Sequence, residues 1–292
     1  MKYAWFPGCW VAFRMPYIEK SDRLVMKAFG IEIEEMKGVT CCPEAQFMEA
    51  VDKRAWLAMA ARNISIAESM KLNILTPCPG CYETFKTTMK VLKEDEEMSK
   101  MIGEALQKMG VTYKGEVDAI HLAGVLYDKV GLEAIKKAIV RPLHGLRVAV
   151  HYGCHLLRPS KYLDFDDPVS PKKLDELVEV TGAISVPYMR KTMCCGGPAG
   201  VVNRDVGLKI LREKLYWIKK AKVDAIVVAC PSCFMQMDGN QPYVEEMFGE
   251  KYSIPVIWYT ELLNWAMGVD PKELKFYHRV KIDPVLEKLG LL

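Results

Sequence analysis

The sequence predicts an α/β protein built from two similar duplicated domains, each with a small, mostly parallel sheet flanked by helices. Two observations lead to this prediction. The same order of cysteine motifs occurs twice within 292 residues, which indicates an internal duplication. Short apolar segments also alternate with helical patterns in both halves, which is typical of parallel sheets. A cysteine-free stretch over residues 111–145 separates the copies. We therefore expect domains over 1–144 and 145–292, the second with a C-terminal extension.

The elements of each half follow from hydrophobic periodicity. In the first half we expect helices over 15–29 and 45–70 and from residue 82 onward, and strands over 3–6, 31–36 and 73–76. Pro77 ends the third of these strands. In the second half the predicted strands cover 147–152, 183–187, 225–229 and 255–259, with helices between them.

The composition is that of a folded globular protein, with half of the residues hydrophobic and 26% charged. A net charge of +3 gives no strong field to favour nucleic acid or an anionic membrane as a partner. The sequence shows neither a signal peptide nor an apolar run of the roughly 20 residues that a membrane span requires. We therefore expect a cytoplasmic protein without a membrane span, in which reducing conditions keep the thiols free of disulfides.

The ten cysteines form two sets of five in the same order: a single cysteine, an adjacent pair and a Cys-x-x-Cys element. Corresponding steps are similar, since 36 residues separate Cys42 from Cys78 and 35 separate Cys195 from Cys230. The first cysteine of each set and the first of each Cys-x-x-Cys element follow predicted strands, so both sets should gather at the carboxyl edges of the sheets. The sets are Cys9, Cys41, Cys42, Cys78 and Cys81, and Cys154, Cys194, Cys195, Cys230 and Cys233.

Five thiolates converging from three loops favour an iron–sulfur cluster in each half, because cysteine sulfur is the usual ligand of such clusters. Three other interpretations stay open for the motifs taken singly. Free cysteines are often small buried hydrophobes, and a lone Cys-x-x-Cys is also a thioredoxin-like redox motif. Zinc usually takes four ligands, often from two Cys-x-x-Cys elements, so five thiols suit zinc poorly.

The residues beside the cysteines fit a cluster site. Adjacent residues of a regular strand point to opposite faces, so each cysteine pair requires a turn. Pro43 follows the first pair and Gly196-Gly197-Pro198 follows the second. Cys81 and Cys233 are predicted to open helices, where free N–H groups and the helix dipole favour thiolates.

This paired array resembles the cysteine-rich CCG-domain family, whose namesake is seen at Cys194-Cys195-Gly196. The first copy differs, with Pro43 in place of the glycine. A short chain with two complete copies is similar to the B subunits of methanogenic heterodisulfide reductases. The resemblance implies two noncubane 4Fe-4S clusters, one on each cysteine set, and reduction of the coenzyme M–coenzyme B heterodisulfide to two thiols.

The resemblance also implies partners, because the chain has no ferredoxin-like cysteine run and no dinucleotide fingerprint. They would be a small ferredoxin-like iron–sulfur subunit and a flavin-containing subunit, with a hydrogenase or formate dehydrogenase as the source of electrons. The alternative function is an electron-transfer subunit of a 2-hydroxy-acid or quinone-linked oxidoreductase. A third is a cluster-bearing scaffold without catalysis.

Candidate residues beyond the cysteines follow from position. His155 follows Cys154, whereas Trp10 follows Cys9, so His155 is the candidate catalytic proton donor. His151, on the preceding strand, is expected to be structural. The substrate implied by the resemblance carries a sulfonate and a phosphate, so cations near the cysteine loops are candidate substrate-binding residues. They are Arg14, Arg158, Lys161 and Lys191, with Arg190 and Arg204 as further cations nearby.

Overall fold

The computed structural model describes residues 1–292 apart from the side chains of residues 45 and 46. It contains two four-stranded sheets, one from each half of the chain. The strands of the first are β1 (Lys2–Trp5), β2 (Glu32–Glu35), β3 (Ile74–Thr76) and β4 (Ala119–His121). The strands of the second are β5 (Arg147–His151), β6 (Ile184–Ser185), β7 (Ala225–Val228) and β8 (Val256–Trp258).

The two sheets have the same topology. Their strand orders are β2-β1-β3-β4 and β6-β5-β7-β8, and each paired neighbour is parallel. The central strands β5 and β7 are buried apart from Arg147, and all of their residues but Arg147 and His151 are apolar, as expected of strands covered on both faces. Parallel strands require crossover connections, and helices supply them. The predicted duplicated α/β fold is therefore confirmed.

Helices flank both sheets. Those of the first half are α1 (Cys9–Arg14), α2 (Pro16–Ala28), α3 (Ala45–Val51), α4 (Lys53–Met70), α5 (Pro79–Glu94), α6 (Glu96–Gln107), α7 (Leu122–Gly124) and α8 (Leu132–Ala138), with a π-helical segment at Val125–Val130. Those of the second are α9 (Lys173–Glu179), α10 (Gly197–Val202), α11 (Arg204–Lys220), α12 (Pro231–Gly239), α13 (Gln241–Phe248), α14 (Tyr259–Ala266), α15 (Pro271–Leu274) and α16 (Asp283–Leu289), preceded by a 3₁₀ turn at Cys154–Leu156.

One predicted element is wrong in detail. The single helix expected over 45–70 is two helices, α3 and α4, which are separated at Asp52. Asp52 has extended backbone angles, and its carboxylate accepts hydrogen bonds from the backbone N–H groups of Arg54 and Ala55. It therefore caps α4, as aspartate often does at a helix start. The three-residue strand β4 was not predicted.

The two halves pack against each other through α2 and α14. Asp22 of α2 is fully buried, and its Oδ1 accepts hydrogen bonds from Trp258 Nε1 at 3.0 Å and from Thr260 Oγ1 at 2.7 Å. Ser21 Oγ lies 2.8 Å from Thr260 Oγ1. One hydrophobic core runs through both halves and includes Trp5 of β1 and Val227 of β7. This packing fixes the position of one sheet relative to the other. The domain boundary at 144/145 stays a prediction.

Within the part of the chain that the structure describes, no helix combines the length and the apolar character needed to cross a membrane.

Candidate functional site

The two cysteine sets lie at the carboxyl ends of the strands. Cys9 begins α1 after β1, and Cys154 begins the 3₁₀ turn after β5. A glycine precedes each of them with a positive φ, Gly8 at 78° and Gly153 also at 78°. The ψ values of 159° and 142° place both in a region that is essentially restricted to glycine. These glycines turn the chain from each strand toward the cavity.

Within each half, the five thiols form one chain of hydrogen-bonded neighbours with the same order. In the first set the order is Cys9, Cys41, Cys42, Cys81, Cys78. In the second it is Cys154, Cys194, Cys195, Cys233, Cys230. The central contact measures 3.3 Å between sulfur atoms in both, from Cys42 to Cys81 and from Cys195 to Cys233. All ten are free thiols.

Hydrogen bonds between neighbouring thiols raise the pKa of some cysteines and lower the pKa of others. The hydrogen bond to Cys42 raises the pKa of Cys41 to about 11. The hydrogen bonds from Cys41 and Cys81 lower the pKa of Cys42 to about 6. A chain of close, partly buried thiols is a poor place for several free thiolates, because their negative charges repel. Deprotonating the whole set therefore requires a bound cation or cluster.

The two sets face each other across one cavity of about 110 Å³. Among the described side chains, every cysteine except Cys194 contributes to its lining, together with Trp10, Glu44, His155, Pro198 and Ser232. The sequence predicted the two sets but not that they meet. Because both sets open on the same space, one small molecule in this cavity can approach both of them.

Glycines beside the cysteines allow the backbone to approach the sulfurs. A Cβ atom on Gly8 would lie 3.0 Å from Cys81 Sγ, and one on Gly153 would lie 3.0 Å from the Cβ of Cys230. Gly196 has a φ of 88°, and its added Cβ would come within 2.5 Å of the Gly207 carbonyl oxygen. The N–H of Gly196 donates to Cys194 Sγ at 3.4 Å. A larger residue at any of these positions would displace a cysteine loop.

The donor set suits iron and sulfur better than zinc. A zinc-like group does exist in the second half, where ligand atoms of His151, Cys195 and Cys233 lie within 4.8 Å of one another. A zinc ion there would need a fourth ligand, and even if a thiol of that set supplied it, two thiols would be left without a role. The first set has Phe6 in the place of His151 and repeats only the thiols. The feature common to both halves is thus a five-thiol set, which fits an iron–sulfur cluster.

Helix N-termini support the Cys-x-x-Cys elements. Cys81 lies in the first turn of α5 and Cys233 in the first turn of α12, each after a proline at the first helical position. Proline suits that position because its missing N–H would have no partner there. The free N–H groups and the dipole of each helix favour negative charge on these cysteines.

His155 joins the two halves at the cavity. Its Nδ1 is hydrogen-bonded to Glu83 Oε2 of α5, and the Glu83 side chain is almost fully buried. Burial alone would lower the pKa of His155, but the hydrogen bond and the charge of Glu83 outweigh it, so the pKa is raised. The pair with Glu83 thus favours the protonated form of the imidazole beside the cavity. Sequence reasoning missed Glu83, because nothing in a helical pattern marks a residue whose partner lies in the other half.

The four candidate substrate-binding cations lie outside the cavity lining. The guanidinium of Arg14 lies 4.9 Å from the ring centre of Trp10, which does line the cavity. Lys191 is paired with Asp175 at 2.5 Å, and Arg158 donates to the carbonyl of Pro168 at 3.1 Å. Lys161 is exposed, 3.9 Å from a Glu94 oxygen. Their role stays a prediction.

Arg204 and Arg190 were the other cations near the loops. Arg204 lines a second pocket of about 210 Å³ that shares Trp10, Pro198 and Ser232 with the cysteine cavity. Arg190 is paired with Glu213 at 3.2 Å. Of the cations named from sequence, Arg204 thus lines the adjoining pocket and Arg14 contacts Trp10, which lines both pockets.

Comparison with known families gives a match to the CCG family of cysteine-rich domains, over residues 3–86 and 148–238. Each matched range begins at or near the first strand of one half and ends beyond its Cys-x-x-Cys element. The matched ranges therefore contain all ten cysteines.

Two relatives align along nearly the whole chain. The B subunit of the ferredoxin:CoB-CoM heterodisulfide reductase of Methanosarcina mazei is 43% identical over 94% of this chain and 91% of its own length. The 8-methylmenaquinol:fumarate reductase membrane anchor subunit of Wolinella succinogenes is 32% identical over 96% of both chains.

A solved structure shares the fold. The crystal structure of a hypothetical protein from Helicobacter pylori superposes with a TM-score of 0.75 at 13% identity, covering 96% of this chain and 52% of the other. At that identity the likeness concerns the fold alone.

Proposed function

The chain belongs to the CCG family of cysteine-rich domains, and from this membership we propose that it is the iron–sulfur subunit that reduces the coenzyme M–coenzyme B heterodisulfide to two thiols. The observation that carries the proposal is the single cavity lined by both cysteine sets. The identity to the B subunit of a heterodisulfide reductase along almost the full length of both chains supports the choice of substrate.

The family and its relatives support iron–sulfur clusters as the cofactor. We propose two, each a noncubane 4Fe-4S cluster held by one five-cysteine set. Such clusters supply single electrons when bound. Reduction of the disulfide consumes two electrons and two protons and gives two thiols, so two one-electron centres beside one cavity match the electron count.

The chain's own residues would bind the substrate and supply protons. His155 is hydrogen-bonded to Glu83 and lines the cavity, so we propose that it protonates one of the two thiolate products. Trp10 and Pro198 give the cavity apolar walls, which exclude water around the sulfur atoms. Arg14, Arg158, Lys161 and Lys191 stay candidates for contacts with the substrate's sulfonate and phosphate.

The relatives are named as subunits of larger enzymes, and we propose the same for this chain. Its partners would be a small ferredoxin-like iron–sulfur subunit and a flavin-containing subunit, with a hydrogenase or formate dehydrogenase as electron source. A cytoplasmic location stays a prediction.

The first test is metal content. Anaerobically purified chain should contain roughly eight irons if both sets hold four-iron clusters. Cys81→Ala and Cys233→Ala should each remove about half of that iron. Stoichiometric zinc with little iron would refute the cluster assignment.

The second test is turnover. With reduced viologen dye the chain should reduce the heterodisulfide, and both cysteine variants should be inactive because each lacks one centre. A variant that retains turnover would contradict shared cleavage by the two sets. NADH should not replace the dye, because the sequence lacks a dinucleotide fingerprint.

A second candidate function is favoured by the relative from Wolinella succinogenes, whose name links it to methylmenaquinol and fumarate. In that case the chain would be an electron-transfer subunit of a quinone-linked enzyme. Oxidation of the dye-reduced chain by a menaquinone analogue, with no response to the heterodisulfide, would favour this candidate over the first.

A further inference from the structure

One buried polar side chain anchors the loop before each cysteine pair. In the first half it is Asn63 of α4, which is fully buried. Its Nδ2 donates to the carbonyl oxygens of Thr40 and Cys41 at 3.1 and 3.2 Å, and its Oδ1 accepts from the N–H of Thr40 at 2.9 Å. A neutral amide therefore holds the first loop.

In the second half a lysine has this position. Lys214 of α11 is fully buried, and its Nζ donates to three backbone carbonyl oxygens of the loop before Cys194. The distances are 2.9 Å to Arg190, 2.6 Å to Lys191 and 3.1 Å to Met193. The Met193 carbonyl belongs to the peptide unit that continues into Cys194. The Nζ of Lys214 thus lies one peptide unit from the cysteine pair.

The three contacts favour the charged form of Lys214. An ammonium has three N–H donors, one for each carbonyl, whereas a neutral amine would turn its lone pair toward one of them. Burial lowers the pKa of Lys214 to about 7, and the thiolate charges of Cys233 and Cys195 oppose that shift. A negatively charged cluster on the second set would oppose it in the same way.

The cation that binds the first loop is partly exposed. Arg62, next to Asn63, donates to the carbonyl of Gly38 at 3.0 Å through an exposed contact. Solvent screens a charge in such a position far more than it screens a buried one. The loops thus differ in the electrostatic environment that they give to their cysteine pairs.

A second residue, His151, also gives the second cysteine set a polar neighbour, at a position that Phe6 holds in the first half. His151 ends β5, and its Nε2 lies 3.3 Å from Cys233 Sγ. A metal-bound thiolate can only accept, so the imidazole would donate this hydrogen bond. The corresponding residue after β1 is Phe6, which packs edge-on against Phe85 at 4.9 Å between ring centres. From the sequence, His151 was expected to be structural, and its contact with Cys233 was not foreseen.

The second cysteine set is also the more deeply buried. Cys195, Cys230 and Cys233 are buried, whereas Cys9 and Cys41 of the first set are exposed. Burial in a low-dielectric interior disfavours the more negative reduced state of a cluster. Without compensation, a cluster on the second set would be harder to reduce than one on the first.

We propose that Lys214 and His151 raise the reduction potential of the cluster held by the second cysteine set and so offset its deeper burial. The proposal rests on the iron–sulfur function proposed above. A buried cation and a hydrogen bond to a ligand sulfur both stabilise the reduced state. Matched potentials let an external one-electron donor load one electron at each set, which is the state that cleavage of one disulfide requires.

The test uses the full chain in two single-cluster backgrounds. Cys81→Ala keeps the second set complete, and Cys233→Ala keeps the first. Lys214→Gln removes the charge but keeps two N–H donors for the loop carbonyls, and Lys209→Gln on the exposed side of the same helix is the matched control. Redox titration with dithionite and viologen mediators, followed by electron paramagnetic resonance, gives the midpoint potential. Iron content is measured on every sample.

We expect Lys214→Gln to lower the midpoint potential in the Cys81→Ala background and to leave it unchanged in the Cys233→Ala background. Lys209→Gln should change neither. Because Lys214→Gln could release the second cluster, His151→Phe, which installs the residue of the first half, is the second variant, and it should lower the same midpoint.

Unchanged potentials in iron-replete variants, equal shifts in both backgrounds, or loss of the second cluster in both variants would overturn the proposal. The last outcome would make both residues structural only. Absence of iron from the unmodified chain would instead refute the proposed function.

Discussion

Replacement of Gly153 by alanine tests whether the turn after β5 sets the position of the second cysteine set. Gly153 has φ 78° and ψ 142°, a conformation that costs an alanine about 1–3 kcal/mol. In addition, the new Cβ would lie 3.0 Å from the Cβ of Cys230, which is closer than such atoms normally approach. We expect the variant to lose about 1–3 kcal/mol of unfolding free energy from the backbone alone. Displacement of Cys230 should remove the iron of the second set.

Gly249→Ala is the matched control. Gly249 also has a positive φ, 65°, at the end of α13, but an added Cβ would meet nothing within 4 Å. It should therefore lose stability, about 1–2 kcal/mol, and keep all of its iron. Thermal unfolding and iron analysis of both variants separate backbone strain from displacement of the cysteine. If Gly153→Ala keeps its full iron content, or if Gly249→Ala loses as much iron as Gly153→Ala, the turn at Gly153 does not position Cys230.

Three further predictions concern buried polar groups. Burial raises the pKa of Asp22 to about 7, so the native state retains a proton that the unfolded state releases above about pH 4. The free energy of unfolding should therefore fall as pH rises from 4 to 7, by at most about 1.4 kcal/mol for each pH unit. Asp22→Asn should abolish that trend in denaturant unfolding measured across this range, and an unchanged slope would contradict it. Asn63→Ala leaves the backbone groups of Thr40 and Cys41 without their hydrogen-bond partner. The free energy of unfolding should fall by about 1–3 kcal/mol, and iron should be lost from the first set alone. Full iron content would contradict the role of Asn63 in holding this loop. Glu83→Gln removes the charge that raises the pKa of His155. Turnover with reduced dye should therefore fall at the upper end of the pH range, while the iron content stays unchanged. An unshifted pH profile would exclude a role for this pair.

The cysteine sets were accessible from sequence because their pattern is local and repeated. Strand-ending positions such as Cys9 and Cys154 could be placed at a sheet edge from the alternation of strands and helices alone. β4 was missed because its residues, Ala119–His121, run directly into the apolar residues of α7, so no boundary or alternation marks a strand there. The break at Asp52 was missed because the apolar pattern continues across it, while the cap depends on backbone angles.

Contacts between the halves could not be predicted, because they join residues far apart in the chain. The Glu83–His155 pair is one example, and the shared cavity is another. Lys214 was missed for a different reason. A lysine within an amphipathic helix is normally exposed, and only the structure shows that its ammonium turns inward to three carbonyls.

The packing of α2 against α14 has a consequence for synthesis on the ribosome. Asp22 is translated before its partners Trp258 and Thr260, which lie 236 and 238 residues further along the chain. Until those partners emerge, a nascent first half lacks the surface that covers α2. The cavity is lined by cysteines of both halves, so it forms only after the second set has been translated and the halves have docked. Delivery of iron to the shared cavity is therefore expected to follow docking, and the thiols of the first set must stay reduced until then.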